Sequence, residues 1–163
     1  MDNQETKGKH NSPDIGVEWS IVYREFHELT KLELYDWLRL RMEVFMIEQN
    51  SLYLDLDGID LDSKHLLAIE GGRVVGGIRC IRSHLDQGIG SLGRLCVTKG
   101  RRGQGIGEVL LQKGIQQLID EGMPKIHIEA QVYLVDWYRG FGFVTEKDPF
   151  DLDGVLHIQM VRG

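Results

Sequence analysis

Apolar and polar residues change period several times along this chain, and each change marks an expected element. From Val17 to Phe26 the residues suit a first strand. Thr30 is placed as an N-cap, with Glu33 at the capping-box position. The helix that follows carries Leu34, Leu38, Met42 and Phe45 on one face, at steps of four, four and three. Ser51 to Ser63 loses that period and reads as loop, with Asp55, Asp57, Asp60 and Asp62 set among leucines. His65 to Glu70, the turn Gly71-Gly72 and Arg73 to Arg82 predict a hairpin. A looser connection, Ser83 to Gly88, leads to a fourth strand over Ile89 to Thr98.

A second helix should start at Ile106, bury Leu110, Leu111, Ile115, Leu118 and Ile119, and stop at Gly122 before Pro124. Gly114 inside it weakens the helix by about 1 kcal/mol relative to alanine, which suggests close packing on the sheet. Lys125 to Gln131 predicts a fifth strand, with Ile126, Ile128 and Ala130 on one face and His127, Glu129 and Gln131 on the other. A short helix, Leu134 to Gly140, precedes a sixth strand after Phe143, and the turn Asp153-Gly154 opens a final strand, Val155 to Val161. Met1 to Gly16 is polar and reads as a disordered tail ahead of one domain over residues 17–163. A meander followed by strand, helix, strand, helix and two strands is α+β.

Composition narrows the class. The chain has 163 residues, 42% of them hydrophobic, enough for one substantial core. No apolar run approaches the ~20 residues of a membrane span, and the N-terminus lacks a signal-peptide pattern. A net charge of −6 argues against nucleic acid as a partner. Cys80 and Cys96 lie mid-strand without CxxC pairing, so free buried thiols and a cytoplasmic setting are expected. Neither zinc spacing nor an EF-hand pattern is present, so no metal is expected.

The run Arg94 to Gly107 carries the most chemistry. A strand enters a cationic, glycine-dense turn that opens a helix, which combines close backbone approach, a helix start and the charges of Arg101 and Arg102. A Walker A loop would need Lys-Ser/Thr after its last glycine, and Glu108 stands there. The dinucleotide fingerprint wants a third glycine where Glu108 lies, although Glu129 sits about where that fold places its ribose-binding acid. The α+β order disfavours that reading independently.

The spacing Arg102-x-x-Gly105-x-Gly107 resembles the acyl-CoA signature of GNAT N-acetyltransferases. The segment Gln131 to Phe143 resembles their downstream motif: Tyr138, Gly142 and Phe143 match, Trp137 replaces an aromatic, and Gln131 and Leu134 replace asparagine and alanine. Leu40-Arg41, Val44-Phe45, Glu48-Gln49, Tyr53, Asp57-Gly58, Asp60, His65, Gly93-Arg94, Ala130-Gln131 and His157-Ile158-x-Met160 are similar to the ElaA-like branch. The resemblance implies a mixed, mostly antiparallel sheet of six to seven strands flanked by helices and splayed between the fourth and fifth. It implies acetyl-CoA held by Leu95, Cys96 and Val97, by Arg102, Gly103, Gln104, Gly105, Ile106 and Gly107, and by Gln131. It also implies that Tyr138 protonates the departing thiolate.

Transfer to an amine needs a base, because an amine is protonated at neutral pH. His157, opposite the apolar Leu156, Ile158 and Met160, is the first candidate, and Glu129 is its rival. For the acceptor the charges conflict. The aspartates would favour a cation, or serve only as turn formers. Arg41, Arg79 and Arg94, with His65 nearby, would favour a carboxylate or phosphate. A zwitterionic, amino-acid-like small molecule with a primary amine satisfies both. A non-catalytic acyl-CoA-binding module is the alternative, and a homodimer is left open.

Overall fold

A computed structural model describes residues 18–83 and 88–163. The expected tail Met1 to Gly16 and most of the connection Ser83 to Gly88 lie outside the described residues. The strands are β1 (Trp19–Glu25), β2 (Lys64–Glu70), β3 (Arg73–Arg82), β4 (Ile89–Val97), β5 (Lys125–Gln131), β6 (Val144–Thr145), β7 (Phe150–Leu152) and β8 (Val155–Arg162). The helices are α1 (Lys31–Arg41), continued as a π-helix over Met42–Glu48, then α2 (Ile106–Asp120) and α3 (Val135–Arg139). All the described strands share one sheet of order β1-β2-β3-β4-β5-β8-β6, with β7 hydrogen-bonded to β8.

Every neighbouring pair is antiparallel except β4 and β5, which run parallel and pair only at Ile89–Lys125, Gly90–Ile126 and Ser91–His127. Beyond Ser91 the two strands part, so the expected splay is present. The sheet has eight strands, one more than expected. The addition is β7, three residues joined to β8 by the foreseen Asp153-Gly154 turn, whose φ values are 51° and 84°. Phe150-Asp151-Leu152 is too short to show a two-residue period.

The two sides of the sheet bury different things. On one side α2 presses Ile106, Leu110, Leu111 and Leu118 against Leu66, Ile78, Leu92, Ile126 and Ile128. The approach is close: a Cβ on Gly114 would stand 3.1 Å from Leu92 Cδ2. On the other side Trp37, Leu40 and Val44 cover Leu67 and Cys96. A Cβ on Gly77 would fall 2.5 Å from the Trp37 ring, so only glycine admits that indole.

Thr30 caps α1 as expected, its Oγ1 accepting from Glu33 N at 3.1 Å while the Glu33 carboxylate accepts from Thr30 N at 3.0 Å. The buried face of α1 differs from the expected one. Asp36, Trp37, Leu40 and Arg41 are buried, and Met42 is 50% exposed. Two charged residues belong to the inward face, and that hid its period. Asp36 is held by Arg73 through two bonds of 2.7 Å, and Arg41 anchors the cluster described next.

Candidate active site

The splay leaves an opening between β4 and β5, and four segments converge on it. The first is the end of β4. Cys96 is buried, while Leu95 and Val97 are half-buried. Burial raises the pKa of the Cys96 thiol, so that side chain is an uncharged core group. Cys80 is also a free buried thiol, pushed up to about 12 by burial.

The second segment is the turn into α2. Gly103 and Gly105 have φ of 76° and 81°, a region that disfavours side chains. A Cβ added at either would meet no atom within 4 Å, so the backbone there borders open space. Gly105 is the N-cap of α2, and no side chain caps the helix. The first-turn amides are therefore free, at the positive end of a helix of 15 residues. This is a cradle for an anion, and the residues fit a pyrophosphate. Its two arginines have carboxylate partners. Arg101 Nε donates to Glu70 at 2.9 Å. Arg102 Nη2 donates to both Glu48 oxygens, at 3.0 and 2.9 Å, and its Nε donates to Val97 O at 3.0 Å. Gln104 is exposed and Ile106 is buried in the α2 core.

The third segment joins the end of β5 to β8 and α3. Gln131 pairs in register with His157 across β5 and β8, which puts both side chains on one face. Gln131 Nε2 donates to Gln49 Oε1 at 2.9 Å, reaching the end of the π-helix. The Nδ1 of His157 lies 2.7 Å from Val155 O. A carbonyl can only accept, so Nδ1 carries a proton and Nε2 is the ring nitrogen outside that bond. Phe150 flanks the ring, with centroids 6.2 Å apart. Glu129 is exposed on the same face of β5. Tyr138 packs edge-on against Trp137 and Phe143. Burial pushes its phenol up to about 12, so it stays protonated at neutral pH.

The fourth segment is the aspartate loop, and it resolves the conflict in the sequence. Arg41 Nε donates to Asp55 at 2.9 Å and its Nη1 to Asp60 at 2.7 Å. Arg79 donates to both Asp57 oxygens at 2.9 Å and to Asp60 at 3.2 Å. Arg94 Nε donates to Asp55 at 2.8 Å. The arginines and aspartates are each other's partners. Arg41 is 0% exposed and Arg79 3%, so the expectation that they bind an acceptor's anionic group is corrected. Only Arg94, with a side chain 21% exposed, keeps access to solvent. His65 is corrected with them. It is 1% exposed, accepts from Trp37 Nε1 at 3.1 Å, and reaches Asp60 O at 3.0 Å with Nε2. Burial lowers its pKa, leaving it neutral.

Of the four aspartates expected to favour a cation or to form turns, Asp57 does form a turn, accepting from Ile59 N at 3.0 Å, while Asp55, Asp57 and Asp60 are partners of the arginines. One signal pointed to the truth: Arg41 stands four residues from both Trp37 and Phe45, at the border of an apolar face. Such a guanidinium needs buried carboxylates, and the loop supplies them. Tyr53 was missed as a contact; its ring lies 5.5 Å beneath the Arg94 guanidinium.

The fold and this opening define a class. Residues 33–162 match the family described as "Acetyltransferase (GNAT) domain", and the chain belongs to that family. Within it the relatives are ElaA-like: Protein ElaA of Escherichia coli K12 is 33% identical over 149 residues, 90% of this chain and 96% of that protein. The crystal structure of Escherichia coli ElaA superposes with a TM-score of 0.82 at 32% identity, covering 91% of this chain and all of that one, 100%. An acyl-CoA N-acyltransferase from Pseudomonas aeruginosa superposes at 0.83 with 31% identity, over 91% of this chain and 100% of its own. Fold and family together support acyl transfer as the activity. Among the described residues no helix is long and apolar enough to cross a membrane.

Proposed function

We propose that this protein is an N-acetyltransferase that passes the acetyl group of acetyl-CoA directly to the primary amine of a small molecule within a ternary complex. The observation that carries the reading is the uncapped start of α2 behind a left-handed glycine turn, set beside the parting of β4 from β5. Acetyl-CoA supplies the activated thioester. The free amides of Ile106 and Gly107, with Gly103, Gln104 and Gly105, hold its pyrophosphate. Arg102 joins them by giving up Glu48. The backbone of Leu95 and Val97, on the opened side of β4, offers N–H donors to the thioester carbonyl, while Cys96 between them is paired with Gly77 on β3.

His157 takes the proton of the incoming ammonium at Nε2, the nitrogen its bond to Val155 leaves free. Glu129, on the same sheet face, is the second candidate base. The Tyr138 hydroxyl, which burial keeps protonated at neutral pH, serves as the proton donor to the departing sulfur. With Arg41 and Arg79 neutralised, the anionic half of an amino-acid-like acceptor loses two of its three expected partners. The two buried thiols suit the reducing cytoplasm.

Calorimetry tests the cofactor reading. Gly107→Leu adds a side chain whose Cβ meets only Val97 Cγ2, at 3.8 Å, so the fold should tolerate it. CoA affinity should fall at least about tenfold as the cradle fills. Undiminished affinity would move the cofactor elsewhere, and binding of NAD in preference to CoA would favour a dinucleotide.

A further inference from the structure

The register of β3 and β4 breaks in one place. Gly77 faces Cys96 and Arg79 faces Gly93, so Ile78 alone stands against the two residues Arg94 and Leu95. This is a β-bulge, and it falls where β4 has already separated from β5. Its first residue, Arg94, has φ of 55°, in the left-handed region where an arginine is strained. Only three described non-glycine residues have positive φ: Asn50, Arg94 and Asp153. Asp153 lies in the β7–β8 turn and Asn50 follows the π-helix, so Arg94 alone sits within a strand.

The Arg94 side chain is fixed along its length. Its Nε donates to Asp55 Oδ1 at 2.8 Å, and Nη2 donates to Asp55 O at 3.1 Å and to Asp57 Oδ2 at 3.5 Å. The Tyr53 ring supports the guanidinium from below. Asp55 is itself anchored, being buried and bound by Arg41. A guanidinium gripped at two nitrogens and stacked on a ring leaves its own backbone little freedom. Glycine would reach the same φ without strain and so without needing the clamp.

We propose that Arg94 is a positioning residue for acyl transfer: its clamp on Asp55 and Tyr53 holds the β4 bulge, and so aims the Leu95 amide into the opening between β4 and β5. This inference rests on the acetyl-transfer reading, and it assigns Arg94 a task other than contact with the acceptor.

Substitution by glycine separates the two tasks. Arg94→Ala loses the clamp and keeps the strain; Arg94→Gly loses the clamp and removes the strain. Turnover of the best amine found with acetyl-CoA, followed by thiol release, should drop roughly tenfold to 10²-fold in Arg94→Ala with a near-normal cofactor KM. Arg94→Gly should recover to within about threefold of the parent. In parallel, amide resonances of Leu95 and Cys96 in ¹⁵N-labelled protein should move in Arg94→Ala and return towards the parent positions in Arg94→Gly. Equal losses in both variants, with unmoved resonances, would make Arg94 a direct acceptor contact and overturn the proposal. Parent-like turnover in Arg94→Ala would overturn it as well. If the parent protein turns over no amine, the acetyl-transfer reading fails, and the resonances still decide whether the clamp holds the bulge.

Discussion

Asp60→Asn removes one negative charge from a place where two buried guanidiniums depend on it. Asp60 accepts from Arg41 at 2.7 and 3.2 Å and from Arg79 at 3.2 Å, in a site 7% exposed. Burial by itself opposes its ionisation; the hydrogen bonds and charges of Arg41 and Arg79 outweigh burial and hold the carboxyl below its usual range. Breaking a buried pair from one side costs about 3–5 kcal/mol. Arg41 retains Asp55 and Arg79 retains Asp57, which places the expected loss near the lower end. For a chain of this size about 3 kcal/mol corresponds to roughly 6–12 °C in Tm.

Urea unfolding across a pH series reads this directly. A carboxyl whose folded pKa is lowered contributes stability above its unfolded pKa of ~3.9 and loses it as pH falls through the folded value. The gap between parent and variant should therefore be full at neutral pH and narrow below the carboxylate range. Asp62→Asn, at an exposed neighbouring position, should stay within about 0.5 kcal/mol of the parent. A loss below about 1 kcal/mol in Asp60→Asn, or a gap that ignores pH, would refute the buried-cluster argument.

Three further outcomes follow from the site. Glu48→Gln should tighten CoA binding severalfold by calorimetry, because Arg102 is then released from its carboxylate partner; unchanged affinity would show that Arg102 does not trade Glu48 for phosphate. Tyr138→Phe should lower turnover about 10²–10⁴-fold with CoA affinity nearly intact, and a loss under about threefold would assign Tyr138 to packing. His157→Ala should lower turnover about 10²–10⁴-fold with CoA affinity nearly intact. Parent-like turnover would transfer the role to Glu129, whose Glu129→Gln variant should then show the loss.

How far the sequence could be read depended on whether a residue's role was local. The passage from β4 through the glycine turn into α2 was legible because each step is set by near neighbours: glycine for positive φ, an apolar period for the helix, Gly114 for close approach. The Thr30–Glu33 cap and the Gly71-Gly72 and Asp153-Gly154 turns were legible for the same reason. The inward face of α1 was not, because Asp36 and Arg41 are buried by partners on β3 and in the aspartate loop, at separations the helical period cannot report. Arg41, Arg79 and His65 looked like ligand contacts while their partners were unknown, since a buried charge and a binding charge look alike in one dimension. The bulge at Arg94 depends on strand register, and no local pattern marks it.

The central claim is acetyl transfer to an amine, and its most direct measurement is product analysis. Purified protein, acetyl-CoA and a panel of small primary amines are assayed for thiol release and, by mass spectrometry, for the mass of the amine and of the protein. The account predicts one thiol released per amine acetylated, release that requires the amine, and an unmodified protein throughout. CoA binding without thiol release for any amine would contradict it and leave an acyl-CoA-binding module; an acetylated protein would replace direct transfer with a covalent intermediate.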